Sequence, residues 1–295
     1  MRADLKNKMI LGLCALFFCG FGLALRLCPA AAYSRSERRL LAQKPALSVP
    51  ALLSGEFMDA AQDYVQDQFP LRESFRSLKA LTARYVFGQR VVNGLYLERG
   101  YLAALEDELR PAMLEHAAER MEYLYDSYLA DTGSRVFFAI VPDKNYFLAA
   151  GGGYPSLDYD ALAAALREKT DFAEYFDIWP SLSIGDYYRT DSHWRQEALL
   201  PTAETLAAAL GLSLTADYET RTLAEPFYGV YAGQSALPLK PDELRYLTNN
   251  VLESCVVTSY DSGAPELIPM YDLSAAGGRD PYELFVGRGK RARHD

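Results

Sequence analysis

An apolar segment close to the N-terminus constrains this chain more than any other feature. The 17 residues from Met9 to Leu25 carry no charge, and they lie between a basic N-terminal stretch and Arg26. A helix that spans a bilayer needs about 17–25 such residues, so this run is just long enough. The sequence therefore predicts that residues 1–28 form a signal anchor or a signal peptide, with the N-terminus inside and the body outside the cytoplasmic membrane.

Two outcomes remain open for this segment. The residues Ala30-Ala31-Ala32 fit the small-residue pattern of a cleavage site, so removal of the segment competes with its retention as an anchor. A buried core helix is disfavoured, because such a helix is rarely first in a chain and flanked by charges. The body is accordingly expected to be held by a single-pass membrane helix, or to be secreted if the signal is cleaved.

The charge distribution excludes one class of partner. The chain has a net charge of −9, although its first 39 residues hold seven basic and two acidic side chains. The remainder holds 23 basic against 37 acidic side chains, whereas a nucleic-acid partner requires a basic face. Of the four cysteines only Cys255 lies in the body, so we expect neither a disulfide framework nor a cysteine-based metal site there.

The region before residue 106 is expected to be a linker followed by a stem. Residues 29–50 are rich in small and basic residues and proline, which is typical of a linker. An amphipathic helical pattern follows from Ser54 to about Phe87, with a break at Phe69-Pro70. Asn93-Gly94 between two short apolar runs is a strong hairpin signal. Residues 51–105 are therefore predicted to form a mostly helical stem with a hairpin.

Helices alternate with apolar strands over residues 106–287. The predicted helices are one that Pro111 opens and Gly133 closes, one at about 159–169, and one that ends at Leu210 before Gly211. The predicted strands are residues 136–141, buried on both faces, with 175–178 and 251–257. This alternation predicts an α/β sandwich with a mainly parallel sheet.

Few side chains in this sequence suit acid–base catalysis. Of the three histidines, His116 is expected on a helix surface and His294 lies in the terminal tail. Asp191 and His193 are two residues apart, so in an extended loop both side chains point the same way. An aspartate that orients an imidazole base supplies two members of a nucleophilic triad. On spacing alone an ordinary structural loop remains the simpler interpretation, and a zinc site is disfavoured because no further ligand cluster is visible.

Several sequence blocks, in the same order, resemble the DHHW family of exported proteins, which are similar to the alginate O-acetyltransferases. The central block is Arg189-Thr190-Asp191-Ser192-His193-Trp194. The other matching blocks are Glu37, Leu40 and Pro45; Tyr64, Asp67, Phe69-Pro70 and Arg72, as in Y-x-x-D-x-F-P-x-R; Val141-Pro142-Asp143-Lys144-Asn145; Phe227, Gly229 and Tyr231, as in F-x-G-x-Y; and Asp280-Pro281-Tyr282 with Phe285. The resemblance extends with gaps from about residue 37 to residue 286.

The resemblance implies a circularly permuted SGNH-hydrolase-like fold, in which the nucleophilic serine comes late in the chain. It implies acyl transfer to hydroxyls of a cell-surface polysaccharide, with Asp191 orienting His193 and His193 moving the proton. Backbone N–H groups would hold the oxyanion. No metal or tightly bound cofactor is implied, and a membrane-bound acyltransferase partner would supply the acetyl group.

Two departures from the family pattern matter for activity. Ser192 replaces the first histidine of the family motif, but the alginate enzymes need only the aspartate and the second histidine. The family's serine lies in an Asp-Ser step after a further strand, and the printed chain ends about ten residues past the Asp-Pro-Tyr block without one. Ser262 is expected in a turn because Pro265 follows, and Ser192 would point away from the pair. The chain is therefore expected to be inactive in this form.

The last residues allow two interpretations. Residues 288–295 are basic after an acidic body, which fits an ordinary terminal tail or a frameshift or early stop near residue 287. Without a nucleophile, the alternative function is a non-catalytic, exported glycan-binding or assembly protein. The 21 tyrosines of the chain would allow stacking on sugars.

Overall fold

The chain forms two compact units of mixed helix and strand. The computed structural model describes residues 2–214, 216–260, 262–278 and 280–285. The first unit comprises Met1–Gln89 with Ala236–Pro238, and the second comprises Arg90–Ser235 with Leu239–Asp295. The expectations for the segment after the Asp-Pro-Tyr block, for the basic tail and for His294 concern positions outside the described residues.

The first unit is mostly helical. Its elements are α1 (Arg2–Leu27), the short antiparallel strands β1 (Tyr33–Ser34) and β2 (Arg39–Leu40), α2 (Val49–Ser54), α3 (Glu56–Asp67), α4 (Arg72–Leu81) and a π-helical turn (Thr82–Val86). Among the described residues one helix, Asp4–Leu27 with a mean hydropathy of 2.1, is long and apolar enough to cross a membrane. The predicted N-terminal apolar helix is thus confirmed, while its topology and cleavage remain predictions.

The predicted break in the stem helix is also present. The helices α3 and α4 are separated at residues 68–71, where Leu71 adopts a left-handed φ of +61°. Pro70 in this stretch has no N–H with which to continue a helical hydrogen-bond ladder. The predicted linker is not wholly irregular, because it contains the β1–β2 pair and the first two residues of α2.

The second unit contains nine strands within the described residues. They are β3 (Val91–Val92), β4 (Leu95–Glu98), β5 (Tyr101–Ala104), β6 (Phe137–Ala139), β7 (Glu174–Phe176), β8 (Glu219–Phe227), β9 (Asp242–Thr248), β10 (Val257–Ser259) and β11 (Glu266–Ile268). The Asn93-Gly94 turn joins β3 to β4 with φ values of +53° and +78°. Positive φ at both positions is what a type I′ hairpin turn requires, and the predicted hairpin is confirmed.

The helices of this unit agree with most of the sequence pattern. They are α5 (Pro111–Tyr128), α6 (Lys144–Gly152), α7 (Tyr159–Lys169), α8 (Leu200–Ala209), α9 (Val230–Ser235) and α10 (Asn250–Ser254). The prediction for 159–169 matches α7 residue for residue. Gly133 has a φ of +68° but follows a 3-10 turn, Ala130–Thr132, rather than α5 itself. The strand predicted at 251–257 is wrong, because the Asn249 side chain accepts a hydrogen bond from Leu252 N–H and begins α10 there.

The mixed α/β class is confirmed, but the described residues do not form a mainly parallel sheet. Parallel pairing is limited to β6 with β7, whereas β3–β4–β5, β8–β9 and β10–β11 are antiparallel. The β6 strand is three residues long and only half-buried. It ends early because the Ile140 carbonyl accepts a hydrogen bond from the Trp179 indole at 2.8 Å. That carbonyl is therefore engaged by a side chain rather than by a neighbouring strand.

Candidate active site

Asp191 and His193 lie on a tight loop rather than in an extended segment. An antiparallel bridge between Tyr187 and Trp194 closes the loop. Inside it, the Tyr188 N–H donates to the His193 carbonyl at 3.1 Å. The loop backbone therefore holds the two side chains on one short, hydrogen-bonded turn.

The two side chains form a close hydrogen-bonded pair. Asp191 Oδ1 lies 2.5 Å from His193 Nδ1 and also accepts the His193 backbone N–H at 3.2 Å. Asp191 Oδ2 accepts the Val230 N–H at 2.9 Å. The Asp191 side chain is fully buried, while 49% of the His193 side chain remains exposed. The hydrogen bond expected between the two residues is present.

The electrostatics of the pair determine which ring nitrogen is protonated. Burial by itself raises the pKa of Asp191, but the hydrogen bonds from the His193 ring and the Val230 N–H outweigh it and hold the pKa at about 2. An ionised carboxylate only accepts hydrogen bonds, so His193 Nδ1 is the donor. In the neutral ring, Nε2 then carries the free lone pair.

The backbone at Gly229 lies close to Asp191 and supports its side chain. The Gly229 N–H donates to Thr190 Oγ1 at 2.9 Å. A Cβ on Gly229 would lie 2.2 Å from Asp191 Cβ and 2.4 Å from Asp191 Oδ2. A residue without a side chain is therefore required here, which gives a physical reason for the glycine of the F-x-G-x-Y block. The Gly229 and Val230 amides are both engaged in this support, so they do not serve as the predicted oxyanion donors.

Asp242 anchors the loop from the other side. This residue begins β9 and is 8% exposed. Its carboxylate accepts the Arg189 N–H at 3.0 Å, the Thr190 N–H at 2.8 Å and the Thr190 hydroxyl at 2.6 Å. Sequence reasoning missed this residue, because no local motif marks a carboxylate that acts across about 50 residues of chain.

Lys144 is a buried lysine that supports the same loop. Its Nζ donates to the Tyr188 carbonyl at 3.0 Å and the Arg189 carbonyl at 3.4 Å, and it lies 4.9 Å from the centre of the Tyr231 ring. Burial lowers the pKa of Lys144 to about 7, although Asp191 and the other nearby carboxylates act in the opposite direction. The lysine of the Val-Pro-Asp-Lys-Asn block thus holds the loop backbone.

Tyr282 covers one face of the imidazole. The rings of Tyr282 and His193 are stacked with centroids 4.0 Å apart and an interplanar angle of 19°. Tyr282 packs against an apolar cluster of Tyr188, Phe227 and Leu244. The Asp-Pro-Tyr block therefore fixes the plane of the His193 ring.

The described residues supply the acid–base half of a site. Within them, the hydrogen-bond partner of the His193 ring is Asp191, which meets Nδ1. The Ser262 hydroxyl donates to the Ala264 carbonyl in the turn between β10 and β11, as the turn prediction required. Ser192 is exposed, and His116 lies exposed on α5, where it was expected. The catalytic roles of Asp191 and His193 remain predictions.

The part of the chain that the structure describes contains no group of three or more His, Cys, Asp or Glu side chains able to hold a metal ion.

Comparisons with known proteins found similar solved structures only. No protein family and no curated protein matches the chain. The similar structures include the O-acetyltransferase domain of AlgJ from Pseudomonas putida, with 21% identity, a TM-score of 0.40, and coverage of 52% of this chain and 64% of that domain. They also include a DHHW family protein from Eubacterium siraeum (16% identity, TM-score 0.47, 67% of this chain and 69% of that one). A third is PatB1 from Bacillus cereus with a sulfonyl adduct (17% identity, TM-score 0.47, 62% and 67%).

Proposed function

We propose that this chain is an extracytoplasmic O-acetyltransferase- or esterase-like protein that acts on cell-surface polysaccharide through Ser-His-Asp chemistry. One observation carries the proposal: a buried, ionised Asp191 lies 2.5 Å from Nδ1 of a half-exposed His193. The order of the sequence blocks around this pair supports an SGNH-hydrolase-like domain. The apolar helix α1 would hold the body at the outer surface of the membrane.

The proposed chemistry assigns one proton path to this pair. A serine oxygen forms the bond to the acyl carbon while His193 Nε2 accepts the serine proton. The imidazolium then returns that proton to the leaving oxygen as the acyl–oxygen bond breaks. Asp191 remains ionised throughout and stabilises the imidazolium. Acyl transfer from this serine to a sugar hydroxyl repeats the steps in reverse order.

The serine is the part of this mechanism that the described residues do not supply. In the family pattern the serine lies in an Asp-Ser step after the Asp-Pro-Tyr block. The acetyl donor would be supplied by a membrane-bound acyltransferase, and the acceptor would be a hydroxyl of the polysaccharide.

The test compares the 295-residue chain with one that is extended at its C-terminus. The three forward reading frames beyond codon 295 are searched for an apolar strand that leads into an Asp-Ser step, and that segment is added to the chain. Hydrolysis of 4-nitrophenyl acetate is then measured. The extended chain should be active and the printed chain should not, and His193→Ala should abolish the activity. His116→Ala, a change at an exposed helical histidine, is the matched control and should leave activity intact.

A non-catalytic function is the second candidate. It is favoured because, among the described residues, the hydrogen-bond partner of the His193 ring is the Asp191 carboxylate and not a serine hydroxyl. If no frame encodes the serine segment, acyl transfer is refuted and an exported glycan-binding or assembly protein becomes the better account. That account predicts saturable binding of an oligosaccharide without turnover, weakened when Tyr282 is replaced by alanine.

A further inference from the structure

The stem carries an apolar stripe that its own unit leaves uncovered. The stripe is formed by Leu71 just before α4, Phe75 and Leu78 on α4, and Val86 and Phe87 at the end of the turn, and these side chains are between 38% and 72% exposed. The spacing of the first three places them on one face of a helix. An amphipathic helix of a globular protein normally buries such a stripe against a core. Another surface is therefore expected to cover it.

Contacts within the stem connect this stripe to the membrane-type helix. The Phe21 ring of α1 stacks on Phe69 with centroids 4.9 Å apart, and it meets Phe75 of α4 at 5.8 Å. Phe21 precedes the end of α1 at Leu27 by six residues, which corresponds to about 9 Å along a helix. Phe75 is thus packed against a part of α1 that would lie inside the bilayer.

We propose that α4 and the turn that follows it lie in the outer interface of the bilayer that α1 spans, with the apolar stripe inserted among the lipids. Helices that lie in an interface bury their apolar face by about 5–10 Å, which matches the depth set by the Phe21 contact. The proposal rests on retention of α1 as an anchor. It does not depend on the acyl-transfer chemistry.

Two grooves of the stem include residues of the stripe in their lining. One, of 430 Å³, runs along the stripe and is lined by Phe75, Leu78 and Phe87 among others. The other, of 610 Å³, is lined by Phe17, Phe69 and Phe75 together with charged side chains that include Asp67, Arg72 and Lys79. The phenylalanines suit acyl chains, and the exposed Lys79 ammonium suits a phosphate headgroup.

The arginines beside the stripe contribute little free charge. Arg72 and Arg76 are both ion-paired with Glu37 and Glu73. Arg39 likewise binds Asp67 through two hydrogen bonds of 2.8 and 2.5 Å. Because each guanidinium already faces a carboxylate, burial of apolar side chains must dominate the attraction to lipid. Insertion is therefore expected to depend only weakly on salt.

A bilayer is favoured over a protein partner because the stripe is continuous with α1. Phe69 and Phe75 contact a residue of the spanning segment itself, so a protein covering them would have to enter the membrane beside α1. A bilayer covers them without any further component.

The experiment uses the full chain, with α1 intact, in phosphatidylcholine vesicles that contain brominated lipid as a quencher. Tryptophan is introduced singly by Leu78→Trp and by Phe87→Trp, and the signal of the native Trp179 and Trp194 is subtracted. Asp63→Trp is the matched control, because Asp63 is an exposed residue of α3 that is not part of the stripe. Circular dichroism confirms that each variant is folded.

Brominated lipid should quench the tryptophan at residue 78 and at residue 87 at least twofold more than the one at residue 63. Added salt should not change this ratio. Equal quenching at all three positions would overturn the proposal. The proposal would also be overturned if the tryptophans at residues 78 and 87 are not quenched and their emission shifts with protein concentration. That result would assign the stripe to contact with a second copy of the chain.

Discussion

Gly229→Ala should dislodge Asp191 and destabilise the second unit. The added Cβ would lie 2.2 Å from Asp191 Cβ, 2.4 Å from its Oδ2 and 2.5 Å from the Thr190 carbonyl oxygen. Carbon atoms in contact are ordinarily about 3.5–4.0 Å apart. All three clashes are with atoms of fully buried residues, Thr190 and Asp191, so the loop and residue 229 must separate by more than 1 Å.

The expected loss of unfolding free energy follows from the contacts that this separation breaks. Inserting a methyl group into a packed site costs about 1–3 kcal/mol. Loss of the Val230 N–H hydrogen bond to the ionised Asp191, now 2.9 Å long, costs a further ~1.5–3 kcal/mol. The free energy of unfolding should therefore fall by about 2.5–6 kcal/mol, since the two terms arise from different contacts and add.

Guanidinium unfolding, followed by the fluorescence of Trp179 and Trp194, measures this change directly. Gly151→Ala is the matched control, because a Cβ at Gly151 in α6 meets nothing within 4 Å and its backbone is helical. That variant should be neutral or stabilised by up to about 1 kcal/mol. If the two variants differ by less than ~0.5 kcal/mol, the packing of Gly229 against Asp191 is wrong.

Three further substitutions probe the support of the loop. Asp242→Ala removes the acceptor for the Arg189 and Thr190 N–H groups, and unfolding should become easier by about 2–4 kcal/mol, whereas a change under ~0.5 kcal/mol would contradict the anchoring role. Lys144 has a folded pKa of about 7 against an ordinary value of 10.5, so the unfolded chain binds more protons between pH 7 and pH 10.5. The free energy of unfolding should therefore rise with pH over that range. Lys144→Met should flatten this rise, and parallel pH profiles of the wild type and the variant would refute the prediction. Asp191 has a folded pKa of about 2 against an ordinary value of 3.8, so its contribution to stability is complete above pH 3.8 and is lost as the pH falls towards 2. The difference in unfolding free energy between the wild type and Asp191→Asn should therefore shrink over that pH range. A constant difference would refute the prediction.

Local signals in the sequence were sufficient for elements whose boundaries are set by neighbouring residues. The α7 prediction was accurate because Asp158 caps its first turn by accepting the Ala161 N–H, and apolar residues recur at helical spacing. The hairpin at Asn93-Gly94 followed from two residues that tolerate positive φ. The sequence does not distinguish α10 from a strand, because the apolar residues after the Asn249 N-cap fit either element.

Contacts between distant residues explain what could not be predicted. The Asp191–His193 pair was visible as a two-residue spacing. Its supports, in contrast, are Asp242 and Gly229, which are 52 and 39 residues away from their hydrogen-bond partner Thr190. No periodicity or turn signal encodes such contacts. The resemblance identified Gly229 by position, and the structure supplies the steric reason.

Sheet geometry was the largest departure from expectation. The run at residues 136–141 predicted a strand buried on both faces, but pairing extends over only three of these residues. The competing interaction is the hydrogen bond from the Trp179 indole to the Ile140 carbonyl. These two residues are 39 positions apart, so a hydropathy pattern cannot indicate the contact.

The most direct test of the proposed site is the protonation state of the His193 ring. The chain has three histidines, so ¹⁵N-histidine labelling and long-range ¹H–¹⁵N correlation can resolve them, with His116→Ala and His294→Ala used for assignment. Asp191 is ionised and accepts from Nδ1, so neutral His193 should carry its proton on Nδ1, and Asp191→Asn should abolish this preference. A neutral His193 protonated on Nε2, or a tautomer mixture that Asp191→Asn leaves unchanged, would contradict the assignment of His193 Nε2 as the catalytic base.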